Sequence, residues 1–304
     1  MSVPPRHARF APILAAVAGI AGFSAMDVAI KGTALVVGVY TALLLRNLLG
    51  LAMIAPLWLA GPRTWPAPPV LHLHLLRSVV NAGMALLFFI AVTRLPLAEG
   101  IAISFISPLI ALYLAAVVLG ERIRRQAIAA SLLGLAGVAV IVADRLGTGE
   151  ASDEALIGVV AVLGSAVLYA FNLVLQRKLA LLAGPIEVAM FQNLVIGALL
   201  LPFAPWLAVA PDWPTVGVIA LGAAFATSAL ALLAWAYARA EAQVLMPIEY
   251  TAFLWAAVMG WYFFAEPLGL ATLAGGVLIV LGCWLGTRGT RADQIPDHTE
   301  QTAL

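Results

Sequence analysis

The feature that most constrains this chain is a series of apolar blocks of about 20 residues each, the length that a helix needs to cross a bilayer. Overall, 63% of the residues are hydrophobic and 10% are charged, whereas soluble domains carry roughly 25% charged residues. So few charges could not keep a globule of 304 residues in solution. Open strands would leave backbone groups unpaired in hydrocarbon. The sequence therefore predicts an all-α membrane protein.

Proline, glycine and charged residues divide the apolar blocks into ten predicted transmembrane helices. Their approximate bounds are 10–30, 38–60, 73–93, 97–119, 124–143, 155–179, 185–207, 214–238, 242–264 and 268–286. The predicted organisation is a tail over 1–9, a first five-helix repeat over 10–143, a connector over 144–154, a second five-helix repeat over 155–286 and a tail over 287–304.

Lysine and arginine are unequally distributed between the two sides of this predicted bundle. With a cytoplasmic amino terminus, the opposite side holds only Lys31, Arg94 and Arg145. The cytoplasmic side then holds twelve: Arg6, Arg9, Arg63, Arg77, Arg122, Arg124, Arg125, Arg177, Lys178, Arg239, Arg288 and Arg291. Cytoplasmic loops are enriched in these residues. Both termini are therefore predicted to be cytoplasmic, with a periplasmic connector.

The two halves resemble each other at an offset of 145 or 146 residues. The matching pairs are Asn47 with Asn193, Pro56 with Pro202, Arg94 with Arg239, Glu121 with Glu266, and Gly137 with Gly282. Because each half has five helices, an odd number, the halves enter the membrane from opposite sides. Inverted repeats of this kind are typical of secondary transporters, whose sites lie near the midplane between the repeats.

Two stretches carry local motifs in matching places. The first is Pro96-Leu97-Ala98-Glu99-Gly100, followed by Ser107-Pro108 and Leu119-Gly120-Glu121-Arg122. The second is Pro247-Ile248-Glu249-Tyr250-Thr251, followed by Trp255 and Ala265-Glu266-Pro267. It departs from the first in having Phe253 where the repeat would place the partner of Pro108.

With these motifs and its helix count, the chain resembles the EamA-type exporters of the drug/metabolite transporter superfamily over roughly residues 10 to 286. Within that superfamily it looks most like the YddG-type exporters of aromatic and other amino acids. The resemblance implies a ten-helix, multi-pass protein of the bacterial inner membrane. It also implies a substrate pathway between the two halves.

A polar stripe follows the sixth predicted helix at spacing i, i+4, i+7, i+11, formed by Ser165, Tyr169, Asn172 and Gln176. Polar groups facing lipid would lack partners, so this stripe faces protein or a cavity. Cavity lining and hydrogen bonding between helices are equally compatible with it.

Other polar and aromatic residues recur on faces of the central helices and complete a candidate chamber near the midplane. The predicted substrate-binding residues are Asn81, Met84, Phe88, Ser107, Pro108, Tyr169, Asn172, Ser228, Trp235 and Tyr250. For any one of them, helix packing is the plainer explanation. As a set, polar groups with aromatic walls are typical of small-molecule sites.

Ionisable residues within spans are costly and are candidates for gating or ion pairing. Asp27 and Lys31 are spaced i, i+4, which predicts a local ion pair at a wetted mouth or, for Asp27, part of an outer gate. Arg46 could bind a substrate carboxylate with its planar fork, or pair structurally with Asp27. Glu249 could pair with Arg77 near the inner mouth.

The inventory of reactive residues argues against an enzyme. The four histidines, His7, His72, His74 and His298, lie in the tails or at helix edges, where His72 and His74 are interpreted as interfacial. Zinc-ligand spacing and a phosphate-binding Gly-Lys-Ser/Thr loop are absent from the sequence. No cofactor, metal or nucleic-acid partner is expected. ATP-driven pumping by this chain is not expected either.

The predicted function is therefore a secondary transporter that exports small amphipathic metabolites by alternating access, with amino acids, including aromatic ones, as leading substrates. A multidrug or cationic-metabolite exporter and a passive channel are the alternatives. The expected partners are a small-molecule substrate and the lipid bilayer, with the chain a monomer or homodimer. Because no acidic residue is obvious at the midplane, facilitated diffusion is favoured over proton coupling.

Small residues recur on the fifth and tenth predicted helices. Gly282 and Gly286 form one small-xxx-small pair, and Ala130 and Gly134 form another. Such pairs let helix backbones approach closely. These faces are predicted to contact each other or a second subunit.

The charge distribution predicts that a cysteine at position 150 is reached from outside the cytoplasm. We expect the Glu150→Cys variant, in a Cys283→Ala background, to react with a membrane-impermeant maleimide in intact spheroplasts. Reaction only after permeabilisation would reverse the predicted orientation.

Overall fold

The computed structural model describes residues 6–61, 65–107, 110, 113–114, 125–147, 153–180, 182–237 and 251–288. Within these ranges the regular secondary structure is helical throughout, with no strand. The predictions for Pro108, Glu249 and Tyr250 lie outside the described residues.

The first helix, α1 (Arg6–Ala60), comprises two predicted spans joined at a kink. Its 55 residues would extend about 80 Å if straight, far beyond the roughly 30 Å of a bilayer core. The kink is at Gly38, with φ 81° and ψ 154°, a conformation open to glycine because it has no Cβ. The predicted break over 31–37 is therefore wrong. Helix continues through that apolar run, and Lys31 lies inside the span.

Among the described residues, seven long helices and one short one follow. They are α2 (Pro68–Val92), α3 (Leu97–Ser104), α4 (Arg125–Gly147), α5 (Asp153–Ala180), α6 (Pro185–Leu200), α7 (Trp213–Tyr237), α8 (Thr251–Phe264) and α9 (Leu270–Arg288). A 3₁₀ turn, Leu201–Phe203, and a short helical turn, Ala204–Leu207, extend α6.

Five of these helical segments are long and apolar enough to cross a membrane. They are Ala11–Ala60, Pro68–Val92, Asp153–Gln176, Pro185–Leu207 and Trp213–Leu233. Shorter apolar helices occur at Leu132–Asp144, Thr251–Phe264 and Leu270–Gly282. Large apolar side chains such as Val36, Trp213 and Leu270 are exposed on the outside of the bundle. Soluble monomers rarely expose apolar surface on this scale.

The main helix contacts join the first half of the chain to the second. α1 packs on α7, α2 on α5, and α4 on α9. A Cβ added at Gly19 would lie 2.9 Å from Leu233 Cγ, so only glycine permits the observed approach of α1 and α7 there. The core between the halves contains Ile30, Phe89 and Ile219, all fully buried.

The fifth and tenth predicted spans correspond to α4 and α9, which pack against each other, whereas a contact through the two predicted small-residue pairs stays a prediction. The closest backbone approach described between them is at Gly137 and Gly275. A Cβ added at either glycine would lie 2.5 Å from the carbonyl oxygen of the other. Gly134 and Gly282 are buried, whereas the side-chain positions of Ala130 and Gly286 lie outside the described part.

Gly137→Val should therefore lower the stability of the fold. Its side chain would collide with rigid backbone, and overpacking typically costs about 1–3 kcal/mol or more. The midpoint of thermal unfolding in detergent measures the effect. Gly217→Val is the matched control, since a Cβ there meets nothing within 4 Å. Equal shifts in the two variants would contradict the prediction.

Candidate functional site

A buried ion pair joins the two halves at one end of the bundle. Lys31 of α1 contacts the carboxylate of Glu266, which lies in the segment between α8 and α9, and both side chains are largely buried. Lys31 Nζ also donates to the carbonyl oxygen of Leu95 at 3.1 Å. Glu266 Oε2 accepts from the backbone N–H of Leu97 at 2.8 Å. We call Lys31, Leu95, Leu97 and Glu266 the latch, and this end of the bundle the latch end.

The local sequence explains how Glu266 reaches the latch. α8 ends at Phe264, and Ala265 then takes a positive φ of 53°, which reverses the chain so that the N–H of Glu266 bonds to the carbonyl oxygen of Gly260. A Cβ at Gly260 would lie 2.8 Å from Glu266 Oε2, so the glycine leaves room for the carboxylate. Pro267 disfavours helical geometry at the residue before it.

The partner surface on the first half is the beginning of α3. The first N–H groups of a helix have no partner within that helix, and the carboxylate of Glu266 satisfies the one at Leu97. Negative charge is also favoured at this end of a helix. Two residues further, in the same first turn, buried Glu99 accepts a hydrogen bond from Thr272 of α9 at 3.3 Å. Two carboxylates therefore tie α3 to the second half.

This arrangement corrects the expected i, i+4 pair of Asp27 with Lys31. Lys31 turns to Glu266, and its Nζ also lies 4.9 Å from the centre of the Phe264 ring. Asp27 instead lies close enough to Arg46 for an electrostatic interaction. Arg46 Nη1 is 3.3 Å from Met26 Sδ. The described geometry thus favours the structural interpretation of Arg46.

The depth of Asp27 also differs from the expectation. Asp27 lies in the part of α1 before the kink, eleven residues before Gly38, or about 16 Å along the helix. This distance is about half of a bilayer core, and the side chain is buried. A buried acidic residue therefore lies well inside the first span, and the argument for facilitated diffusion from the absence of such a residue no longer holds.

A second polar cluster lies toward the other end of the bundle, between α2, α5 and α6. Arg77 donates to Gln192 Oε1 at 2.7 Å and to Gln176 Oε1 at 3.4 Å. His74 Nε2 is 3.1 Å from Glu187 Oε1. Its ring stacks on Phe191 at 4.8 Å. His74 is buried inside the protein, and its position at the membrane interface stays a prediction.

Between the two polar layers, α2 and α5 run antiparallel along each other. Ser165 donates to the carbonyl oxygen of Met84 at 2.9 Å. This bond, with that between Arg77 and Gln176, sets the register of the two helices. Asn81 and Asn172 are buried at this interface. The Oδ1 atom of Asn172 has no hydrogen-bond partner among the described residues.

The structure therefore brings together part of the predicted set and leaves part of it aside. Asn81, Met84, Tyr169 and Asn172 lie on the two facing helices, and Phe88 is half-buried one turn further along. Ser107 is buried and donates to the carbonyl oxygen of Ser104 at 2.6 Å. By contrast, Ser228 and Trp235 are exposed on α7, and Ser228 bonds within its own helix.

Sequence reasoning missed the roles of Glu99, Gln192, Glu266 and Thr272. Glu266 carried one signal, its match with Glu121 in the repeat. Its partner Lys31 is 235 residues away, and neither motif indicated that pairing.

Removing one partner of the latch should destabilise the protein much more than removing one partner of a surface ion pair does. Lys31→Met or Glu266→Gln leaves one buried charge unpaired, and such losses typically cost about 3–5 kcal/mol. The double variant should lose less stability than the sum of the losses in the two single variants. The measurement is a double-mutant cycle on thermal unfolding in detergent.

The matched control is the pair of Arg94 and Glu154. These side chains lie 2.6 Å apart at their closest but are 30% and 66% exposed. Exposed pairs typically contribute about 0.2–1 kcal/mol, so removing Arg94 or Glu154 should have little effect. A latch cycle no larger than the control cycle would contradict the assignment.

Comparison with known proteins agrees with the duplication of the chain. The sequence model of the EamA-like transporter family matches twice, over residues 10–143 and 156–288. A pseudopaline exporter of Pseudomonas aeruginosa is 28% identical over 217 residues, which cover 69% of this chain and 72% of that protein. An uncharacterised transporter of Helicobacter pylori is 27% identical over 206 residues, covering 66% and 69% respectively.

The fold is also shared with a protein of known crystal structure. The two superimpose with a TM-score of 0.61 over 92% of this chain and 98% of the other, at 22% identity. At this level of identity the likeness concerns the fold alone.

Proposed function

Because the chain belongs to the EamA-like transporter family, we propose that it exports small amphipathic metabolites, with amino acids, including aromatic ones, as the leading substrates. Family membership supports a multi-pass membrane transporter and favours transport over an enzymatic role. The proposal places it in the bacterial inner membrane with both termini in the cytoplasm. Export would then proceed from the Arg77 end toward the latch end.

The observation on which the proposal most depends is the latch, a buried ion pair between the two repeats at one end of the bundle. Inverted-repeat transporters work by moving one repeat against the other around a central site. Lys31 and Glu266 come from different repeats, so opening that end separates them. Water can solvate both charges once they part, which offsets the lost attraction. The latch is therefore suited to a barrier that opens and closes.

The interface of α2 with α5 supports a small zwitterionic substrate. Asn81 and Asn172 provide amide donors and acceptors, and Tyr169 provides a hydroxyl and a ring. Rings can cover an apolar side chain or face an ammonium group for about 0.5–2 kcal/mol. An amino acid offers a carboxylate, an ammonium and a side chain that match these groups.

A second candidate is the export of pseudopaline or of a molecule like it. The similarity to a pseudopaline exporter over 69% of this chain favours it. Both candidates are exported small molecules, so one assay can distinguish them.

That assay is efflux from liposomes loaded with a mixed metabolite pool that includes the twenty amino acids and pseudopaline. We expect saturable loss of amino acids, identified by mass spectrometry. Running it with and without a proton gradient decides the coupling, in which buried Asp27 is the group to replace first. Flux that does not saturate would indicate a channel, and loss of cationic drugs alone would indicate a multidrug exporter.

Asn172→Ala should reduce amino-acid efflux several-fold with little change in unfolding temperature, since it removes an amide whose Oδ1 atom has no hydrogen-bond partner among the described residues. Ser228→Ala is the control, because that hydroxyl is exposed and bonds to its own helix. Efflux is measured on equal amounts of folded, reconstituted protein. Unchanged efflux in the Asn172 variant would place the pathway elsewhere.

A further inference from the structure

Arg77 is a cation buried deep in a membrane helix. It is 4% exposed and nine residues from the start of α2, about 14 Å along the helix. Charges at such depth are costly and are normally paired. Among the described residues no carboxylate forms an ion pair with it. Glu187, the nearby acid on α6, contacts His74 instead. The guanidinium therefore lacks a counter-charge within the described structure.

The contacts of Arg77 orient its guanidinium without neutralising it. Gln192 and Gln176 each present an uncharged amide oxygen to one terminal nitrogen, and the second of these bonds, at 3.4 Å, is long. The Nε atom has no acceptor among the described residues. A guanidinium has five N–H donors in a fixed plane, so several remain available. Two parallel N–H groups of such a fork match the two oxygens of a carboxylate.

Asn172 supplies the complementary group. It is 3% exposed, and its Oδ1 atom is buried without a hydrogen-bond partner among the described residues. It precedes Gln176 by four residues on α5, so it lies on the same face, about 5–6 Å from that partner of Arg77. Among the described residues, Asn172 Oδ1 is thus an unpaired acceptor one turn from Gln176, which contacts Arg77, and Arg77 Nε is an unpaired donor. Buried polar groups are normally paired.

We infer that Arg77 binds the carboxylate of the exported molecule while Asn172 Oδ1 accepts a hydrogen bond from its ammonium group. The inference rests on the proposed function and narrows it. The substrate class becomes zwitterions that carry a carboxylate, and purely cationic molecules are disfavoured. Arg77 becomes a specificity-determining residue, whereas the sequence had suggested an ion pair of Arg77 with Glu249 near the inner mouth.

The test compares L-phenylalanine with L-phenylalaninamide, which keeps the ring and the ammonium but has a neutral amide in place of the carboxylate. Wild-type protein in liposomes should export phenylalanine with a kcat/KM at least about tenfold higher, since hydrogen bonds between charged groups are the strong ones. Arg77→Gln should remove that preference by lowering the value for phenylalanine about tenfold, as loss of such a contact implies. The kcat/KM of Arg77→Gln for phenylalaninamide should stay within about twofold of the wild-type value.

Arg94→Gln is the matched control, because it removes an arginine from the exposed pair with Glu154 and should leave the preference intact. If Arg77→Gln does not fold, Arg77→Lys replaces it, because lysine keeps the charge and loses the fork. In the Arg77→Lys variant, the KM for phenylalanine should rise several-fold more than the KM for phenylalaninamide. Equal changes for both compounds would overturn the inference.

Glu249 is the competing explanation for Arg77. If the two formed a permanent structural pair, Glu249→Gln and Arg77→Gln would lower stability equally and would leave the preference unchanged. That result overturns the inference while export stands. If the compounds exported saturably from the mixed pool all lack a carboxylate, the inference is again overturned while export stands. No saturable export of any compound overturns the proposed function, and the inference with it.

Discussion

The buried contact of Lys31 with Glu266 is the interaction on which the arrangement of the two halves most depends. It neutralises a cation that α1 would otherwise hold unpaired inside the membrane. The same carboxylate satisfies the first N–H group of α3. Breaking the pair therefore disturbs three elements at once, α1, α3 and the turn after α8. Buried ion pairs contribute little net stability but are costly to break on one side, which suits a contact that must open as a unit.

The cluster of Arg77 with Gln176 and Gln192, here the Arg77 cluster, differs from the latch in the charge of its partners. In the latch a full negative charge balances the lysine, whereas in the Arg77 cluster the described partners are two uncharged amides. In the proposed mechanism, the balanced pair of the latch forms a barrier, and the cation of Arg77 attracts an anionic group. The antiparallel contact of α2 with α5 sets the distance between the two layers. On this proposal, the barrier and the substrate site lie toward opposite ends of the bundle.

Helix positions were largely predictable, because each depends on the hydropathy of its own segment. The predicted span 185–207 and the observed Pro185–Leu207 coincide. The error at the first loop has a local cause. The run from Thr33 to Val37 is apolar and lacks a helix breaker, so helix continues until Gly38, where a positive φ is available. Because of this shift, Lys31 and Asp27 lie within the span rather than at its predicted mouth, and the interpretation of both residues changes.

The sequence by itself determined that the chain is helical, lies in a membrane and is duplicated, because length, hydropathy and repeat offset are properties of the chain alone. It also identified the polar stripe of α5, since helical periodicity puts Asn172 and Gln176 on one face. Only the tertiary structure decided which charges meet. Lys31 and Glu266 are distant in sequence, and nothing in either local motif specifies the other. Pairing depends on how α1, α3 and α8 pack, and that packing is set by glycine contacts and buried side chains spread over both halves.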